Sequence, residues 1–376
     1  MHQGSNEHLT TPAMSLSSYI HRIVEQRETL SRTDARALLD EVLAGRAAAE
    51  SYGSPVPIQL AALLAALATR GETPAEIAGF VDAMRAAATP VPLDDAERSL
   101  LVDTCGTGAD SSGTFNISTA AALVAAAAGF GHMVAKHGNR AVTSQSGSAD
   151  VLEALGIPIA LSPAAGAEAL RRHRFAFLHA PSLHPAMKAV MPVRRALGIH
   201  TIFHLVGPLS NPAGARAQVM GVYAARLVPT VAEAMRLLGV RHAFVVHGSV
   251  DDAGTAGMDE LSISGPSQLA EVRGDTVSFL TITPEQAGLQ TAPIDTLRGG
   301  NAATNAAILR AIFSGERSPR RDVVLLNAAA VLITAGAVPA STRDLHESFR
   351  AAVALAAAAI DSGDVAALVT NLAADN

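Results

Sequence analysis

After Asp94 the chain repeats one unit: a short β-branched or apolar run, a loop rich in glycine and polar residues, then an alanine-rich stretch with helical spacing. That order predicts α/β architecture, a mostly parallel central sheet flanked by helices. The candidate strands are 99–103, 132–136, 219–222, 242–247 and 277–280, and the first four end where Gly-rich or polar residues begin. Ligands of open α/β sheets bind outside the carboxyl ends of the strands, so chemistry is expected in those loops. Aromatic residues are only 3% of the chain and there is no Trp, so the core is expected to be filled by Ala, Leu, Val and Ile.

From Ser15 to about Pro92 the texture is helical throughout. Ile20, Ile23 and Val24, then Leu38, Leu39, Val42 and Leu43, recur at the spacing of one apolar helix face. Thr73 before Pro74 has the form of an N-cap and first helical residue, and Pro90 and Pro92 bound that helix. Nothing catalytic appears here, so a structural or dimerising all-helical domain is expected. Residues 1–14 have neither a basic start nor an apolar run and are expected to be a flexible tail, not a secretory leader. The sparsely charged stretch 111–135 is broken by Asn116, Ser118, Thr119, Gly129, Gly131 and His132, which suits a buried helix and strand rather than a membrane span. A net charge of −6 provides no basic field for nucleic acid or acidic lipid. The single cysteine, Cys105, excludes a disulfide framework and points to a reducing, cytoplasmic setting. Flanked by Thr104 and Gly106 with no base beside it in sequence, it reads as a strand-end filler.

Four segments carry chemistry. In the first, Asp103-Thr104-Cys105-Gly106-Thr107-Gly108-Ala109-Asp110 is followed by Asn116-Ile117-Ser118-Thr119 opening an alanine-rich helix. Gly106 and Gly108 let backbone amides approach an anion, and Ser118 or Thr119 can cap a helix whose positive end favours phosphate. Neither GxxxxGK[ST] nor GxGxxG is present. In the second, Lys136 and Arg140 set two cations among His137, Gly138, Asn139 and Ser144, with Ser148 positioned to cap the next helix. The third is Asp259-Glu260. Adjacent carboxylates are commonly a solvated face, but beside a pyrophosphate site hard oxygens suit Mg2+. A rival pair, Asp251-Asp252, lies in a Gly- and Ser-rich segment where ligand geometry would be poorly fixed, whereas 261–264 alternates as a strand and can anchor Asp259-Glu260. The fourth runs from His184 through Arg194-Arg195 to Thr201–Leu209 and Asn211-Pro212-Ala213. One of the two arginines can hold a planar carboxylate through paired hydrogen bonds.

With GTGAD and NIST, KHGNR and SQSGSAD, TIFHLVGPLSNPA, GMDELS and GGNAATNAAILRAIFSGERSPRRDVVLLNAAA in order, the chain resembles the anthranilate phosphoribosyltransferase family from about Leu16 to Leu372. The resemblance implies a small helical domain over 15–93, joined by a helical stretch near 184–197, and a large α/β domain over 94–376 that binds phosphoribosyl pyrophosphate. It further implies a homodimer formed through the helical domain. Phosphoribosyl pyrophosphate is then expected at Gly106, Ala109, Asp110, Thr114, Asn116, Ile117, Ser118 and Thr119 on the first loop. On the second it is expected at Lys136, His137, Gly138, Asn139, Arg140, Ser144 and Ser148. Anthranilate is expected at Gly106, Asn139, His184 and Arg194, and Mg2+ at Ser118, Asp259 and Glu260. No side chain is expected to act as a strong acid or base. Alternatives are a pyrimidine nucleoside phosphorylase, a non-catalytic nucleic-acid-binding relative, and a paralogue acting on a modified aromatic amine. The last is raised by departures from the family pattern at Ala109, His179, His204 and Asn301.

Overall fold

The computed structural model describes residues 14–44, 54–108, 110–141, 145–250, 257–338 and 344–375. Ala109, Ser144, the Asp251-Asp252 pair and all but the last residue of the expected tail lie outside the described residues.

Among the described residues eight strands form one sheet: β1 Leu101–Gly106, β2 Met133–Gly138, β3 Phe175–His179, β4 Ala217–Gly221, β5 His242–Ser249, β6 Gly257–Met258, β7 Ser267–Arg273 and β8 Thr276–Ile282. The order is β3-β2-β1-β4-β5-β7-β8, with β6 also paired to β5. The pairs from β3 to β5 are parallel, and β6, β7 and β8 add antiparallel partners. From β1 the chain builds outward through β2 and β3, then returns to the other side of β1 for β4. The topological switch point therefore lies between β1 and β4, where Gly106 pairs with Gly221 at the carboxyl ends.

The five expected strands are present, with boundaries shifted by up to three residues. β3 escapes a pattern search because Phe-Ala-Phe-Leu-His has a single polar residue, at its end, and shows no alternation. β7 escapes it because Gln268 and Glu271 dilute its β-branched character. The strand expected at 261–264 is corrected to a buried bend. There Ser267 Oγ accepts from Ser262 N and Ser262 Oγ from Ser264 N, both at 2.9 Å, so serine hydroxyls take the place of a ladder.

One face of the sheet is covered by the helices Ile117–Ala127, Pro319–Ala335 and Leu345–Asp361, which share a core with Val102, Val219, Phe244 and Val246. Alanines 120–122 and 125 are fully buried, and their small side chains let the Ile117–Ala127 helix approach closely. On the other face, the Leu227–Leu237 helix joins Met220, Val245 and Val272 to a bundle of Arg32–Ala44, Val56–Arg70 and Pro74–Ala86. Ala186, Val190 and Val193, from the stretch expected to join the helical region, belong to that same apolar cluster. Thr73 caps the Pro74–Ala86 helix as expected: Thr73 Oγ1 accepts from Glu76 N at 3.3 Å and Glu76 Oε2 from Thr73 N at 2.9 Å. Among the described residues no single helix is long and apolar enough to cross a membrane.

Candidate active site

Three of the four sequence segments meet at the carboxyl end of β1. A Cβ on Gly106 would overlap the Asp259 carboxylate, and one on Gly221 would overlap the Asp259 backbone oxygen, so both strand ends need glycine for steric reasons. Gly108, at φ +68°, needs it for conformation. Asp259 Oδ2 accepts from Gly108 N at 2.6 Å, and Asp259 N donates to Asp110 Oδ2 at 3.2 Å, so the loop after β1 wraps Asp259. Glu260 Oε1 accepts from Ser118 N at 3.1 Å, in the first turn of the Ile117–Ala127 helix. Lys136 is only 1% exposed, and its Nζ donates to Thr104 O at 2.7 Å and to Ser118 Oγ at 3.3 Å.

Burial pushes the carboxyls of Asp259 and Glu260 well above the usual carboxylate range. The charge of Asp110 adds to the effect on Asp259 and that of Asp259 to the effect on Glu260, while Lys136 pulls Glu260 back. Carboxylates held in this way are short of a cation. The hydroxyl of Ser118 with the two carboxylates is a hard-oxygen set that fits Mg2+. Among the described residues no three His, Cys, Asp or Glu side chains close into a metal cage. A metal held here would need its remaining ligands from outside the protein.

The second loop divides differently from expectation. Ser148 is the first residue of the Ser148–Ala154 helix and does not cap it. The cap is Gly147, whose N–H donates to Asp150 Oδ2 at 2.9 Å, and Ser148 Oγ instead donates to Asn139 O at 3.2 Å. Arg140 is turned to Asp150 at 3.0 Å and Glu153 at 2.8 Å, so Lys136 is the cation of the pair that stands at the first loop. Asn116 is clasped within the protein, donating to Ser146 O at 3.1 Å and accepting from Asn305 Nδ2 at 2.9 Å. Ile117 and Thr119 are buried, and Thr114 Oγ1 lies 3.2 Å from Ser112 Oγ. Gly138 is crowded by Ser148 Oγ and by the Phe177 ring, whose Cε2 would lie 2.8 Å from a Cβ.

His137 and His184 face each other with ring centroids 5.0 Å apart, both buried. Burial pushes His137 down to about 3, helped by His184, and His184 down to about 4. Backbone groups at Gly207 and Ser210 offset this only in part, so both rings are neutral at pH 7. His137 Nε2 and both ring nitrogens of His184 have no partner in hydrogen-bond geometry.

Arg194, half-buried on the Met191–Leu197 helix, lies over the Phe203 ring at 5.5 Å and against Met191 Sδ at 3.8 Å. Its buried Nε is unpaired, and burial lowers its pKa. Among the described residues no carboxylate pairs with it, and Arg195 beside it is exposed. Cys105 is the filler expected: its thiol is pushed far up by burial and accepts from Gln218 Nε2 at 3.4 Å.

Asp103, Thr107 and Asn211 stand in segments the sequence singled out but had no role assigned to them, and Tyr223 was missed. Asn211 Nδ2 donates to buried Asp103 at 2.9 Å and to Ala135 O at 2.8 Å, strapping the 201–213 segment across β1 and β2. Burial raises Asp103 to about 6 against the pull of Asn211 and Lys136. Tyr223 N donates to Thr107 Oγ1 at 3.0 Å, joining the end of β4 to the first loop. The conspicuous Asn211-Pro212-Ala213 was the available signal; Tyr223 offered none.

The chain matches two family models: the glycosyl transferase family helical bundle domain over residues 17–88 and the glycosyl transferase family a/b domain over residues 98–366. The fold is thus that of a glycosyl transferase family with a helical bundle domain and an a/b domain. Among relatives, anthranilate phosphoribosyltransferase of Chloroflexus aggregans is 47% identical, covering 93% of this chain and 95% of its own. That of Brevibacillus brevis is 48% identical, covering 89% and 90%. The crystal structure of the Thermus thermophilus enzyme superposes with a TM-score of 0.81 at 40% identity, covering 94% of this chain and 98% of that one. The Saccharomyces cerevisiae enzyme in complex with PRPP and Mg gives 0.83 at 26%, covering 96% and 98%. The chain belongs to the anthranilate phosphoribosyltransferase family.

Proposed function

We propose that this chain transfers the phosphoribosyl group of phosphoribosyl pyrophosphate to the amine of anthranilate, giving N-(5-phosphoribosyl)anthranilate and pyrophosphate in tryptophan biosynthesis. The observation that carries the proposal is the meeting of the Gly106–Asp110 loop, Ser118 and Lys136 with Asp259-Glu260 at the switch point. The yeast relatives in complex with PRPP and Mg, and with 4-fluoroanthranilate, support the same substrate classes.

Displacement at the anomeric carbon by a weak aromatic amine is easiest through a loosened, positively charged centre, so stabilising the departing pyrophosphate dominates. Ser118, Asp259 and Glu260 would hold Mg2+, which when bound supplies neutralisation of phosphate charge. Lys136 contributes a buried positive charge beside Ser118. Arg194 takes the acceptor carboxylate; having no acidic partner, its fork is available. His137 and His184 stay neutral and offer unfilled ring nitrogens on the acceptor side. No strong base is required, because the aromatic amine is already neutral at pH 7 and is oriented rather than activated.

We also take the helical region, with 184–197, as the dimerising domain, a reading favoured by Val24 and Ile58 standing 49% and 75% exposed there. A cytoplasmic setting fits the one buried thiol. The test is loss of anthranilate fluorescence on mixing with phosphoribosyl pyrophosphate and Mg2+; absence of turnover under those conditions refutes the assignment. The Asp259→Asn, Glu260→Gln double variant should need far more Mg2+, and Asp251→Asn with Asp252→Asn should not.

A further inference from the structure

Tyr223 lies just past the end of β4, beside the loop that follows β1. Its backbone is fixed to the first loop by the 3.0 Å bond to Thr107 Oγ1, and Thr107 N donates back to Gly221 O at 3.0 Å. Its ring stacks on His200 with centroids 4.1 Å apart and planes 14° apart. His200 meets His204 at 5.3 Å, edge to face, and His204 is held through Nδ1 by Thr201 N at 3.0 Å. Phe203, next to it in the same helix, carries the Arg194 guanidinium over its ring. A continuous run of ring and backbone contacts thus links the Gly106–Gly108 loop to Arg194. His200 is exposed on the surface, where a lone imidazole would sample several rotamers; a close parallel stack fixes it.

We propose that the Tyr223–His200 stack is the positioning element that sets Arg194, and through it the acceptor, against the loop that receives the phosphoribosyl group. Both residues are positioning residues: neither touches the reacting atoms. The inference rests on Arg194 holding the acceptor carboxylate. Its physical basis is that a guanidinium already held in place binds a carboxylate without the ordering cost that a mobile side chain pays on binding. The phenol is not part of the device, because the ring face makes the contact.

Tyr223→Ala and His200→Ala should each raise the acceptor KM about three- to tenfold, the range of a lost aromatic pair, while the KM for phosphoribosyl pyrophosphate stays within about twofold. Tyr223→Phe and His200→Phe, which keep a stackable ring, should restore it. In an Arg194→Ala background, Tyr223→Ala should add nothing further. His200, being exposed, carries the test should Tyr223→Ala fold poorly. The proposal is overturned if Arg194→Ala raises the acceptor KM but neither alanine variant does, or if the phenylalanine variants are as impaired as the alanine ones. An unchanged acceptor KM in Arg194→Ala would instead overturn the anchoring role on which the proposal rests.

Discussion

A single methyl group at Gly106 should separate metal binding from folding. A Cβ there would lie 2.6 Å from Asp259 Cγ and closer still to Oδ2. Carbon atoms in contact rest about 3.5–4.0 Å apart, so the carboxylate must retreat by about 1 Å. The Asp259 backbone, packed against Gly221, cannot follow, so the carboxylate must swing about its own side-chain bonds. The movement breaks the 2.6 Å bond from Gly108 N to Asp259 Oδ2. Such a charge-assisted bond contributes about 1.5–3 kcal/mol, roughly a ten- to hundredfold change in an equilibrium constant. Gly106→Ala should therefore raise the Mg2+ concentration for half-maximal turnover ten- to a hundredfold. Gly108→Ala is the control: nothing lies within 4 Å of its Cβ, and its φ of +68° adds only backbone strain. That strain costs about 1–2 kcal/mol of stability. It should lower Tm and leave the Mg2+ midpoint in place. The assay is a Mg2+ titration of anthranilate fluorescence loss, with thermal unfolding of both variants. A wild-type Mg2+ midpoint in Gly106→Ala, or an equal shift in Gly108→Ala, would refute the steric account.

Arg194→Ala should raise the acceptor KM ten- to a hundredfold, the loss of a bond to a charged group, and Arg195→Ala should do little; steady-state kinetics in both variants decides, and equal effects reverse the assignment. Lys136→Ala should lower kcat/KM for phosphoribosyl pyrophosphate far more than it affects acceptor binding, and a wild-type value would remove Lys136 from the site. Asp103 titrates near 6 when folded, against about 3.9 when unfolded. Between about pH 4 and 6 the folded state then binds more protons, and stability falls as pH rises by up to about 3 kcal/mol from this group. Urea unfolding across that window should show a slope that Asp103→Asn reduces; an identical slope would contradict it. His137 and His184, depressed to about 3 and 4, should show no imidazole titration between pH 5 and 8 by NMR.

Much of the site was legible because its parts are local. The end of β1 needs Gly106 and Gly108 within three residues, Thr73 and Glu76 cap their own helix, and an alanine run can only be a close-packed helix here. Such features depend on backbone preference and side-chain size, which neighbours in sequence determine by themselves. The partners of charges were not legible in that way. Arg140 stands four residues from Lys136, yet one pairs with Asp150 and Glu153 and the other is buried beside Ser118. Which way each points follows from where the Ser148–Ala154 helix packs. Likewise, 261–264 alternates like a strand, yet its backbone turned to serine hydroxyls brought up by the bend itself and by the start of β7. Above all, the sequence contained the Gly106 loop and Asp259 as separate segments; the strand order alone seats β4 beside β1 and β5 beside β4, and closes Gly108 onto a carboxylate 151 residues away. A charge has no directional preference of its own along the chain, so its partner is chosen only when long-range packing removes the water from around it.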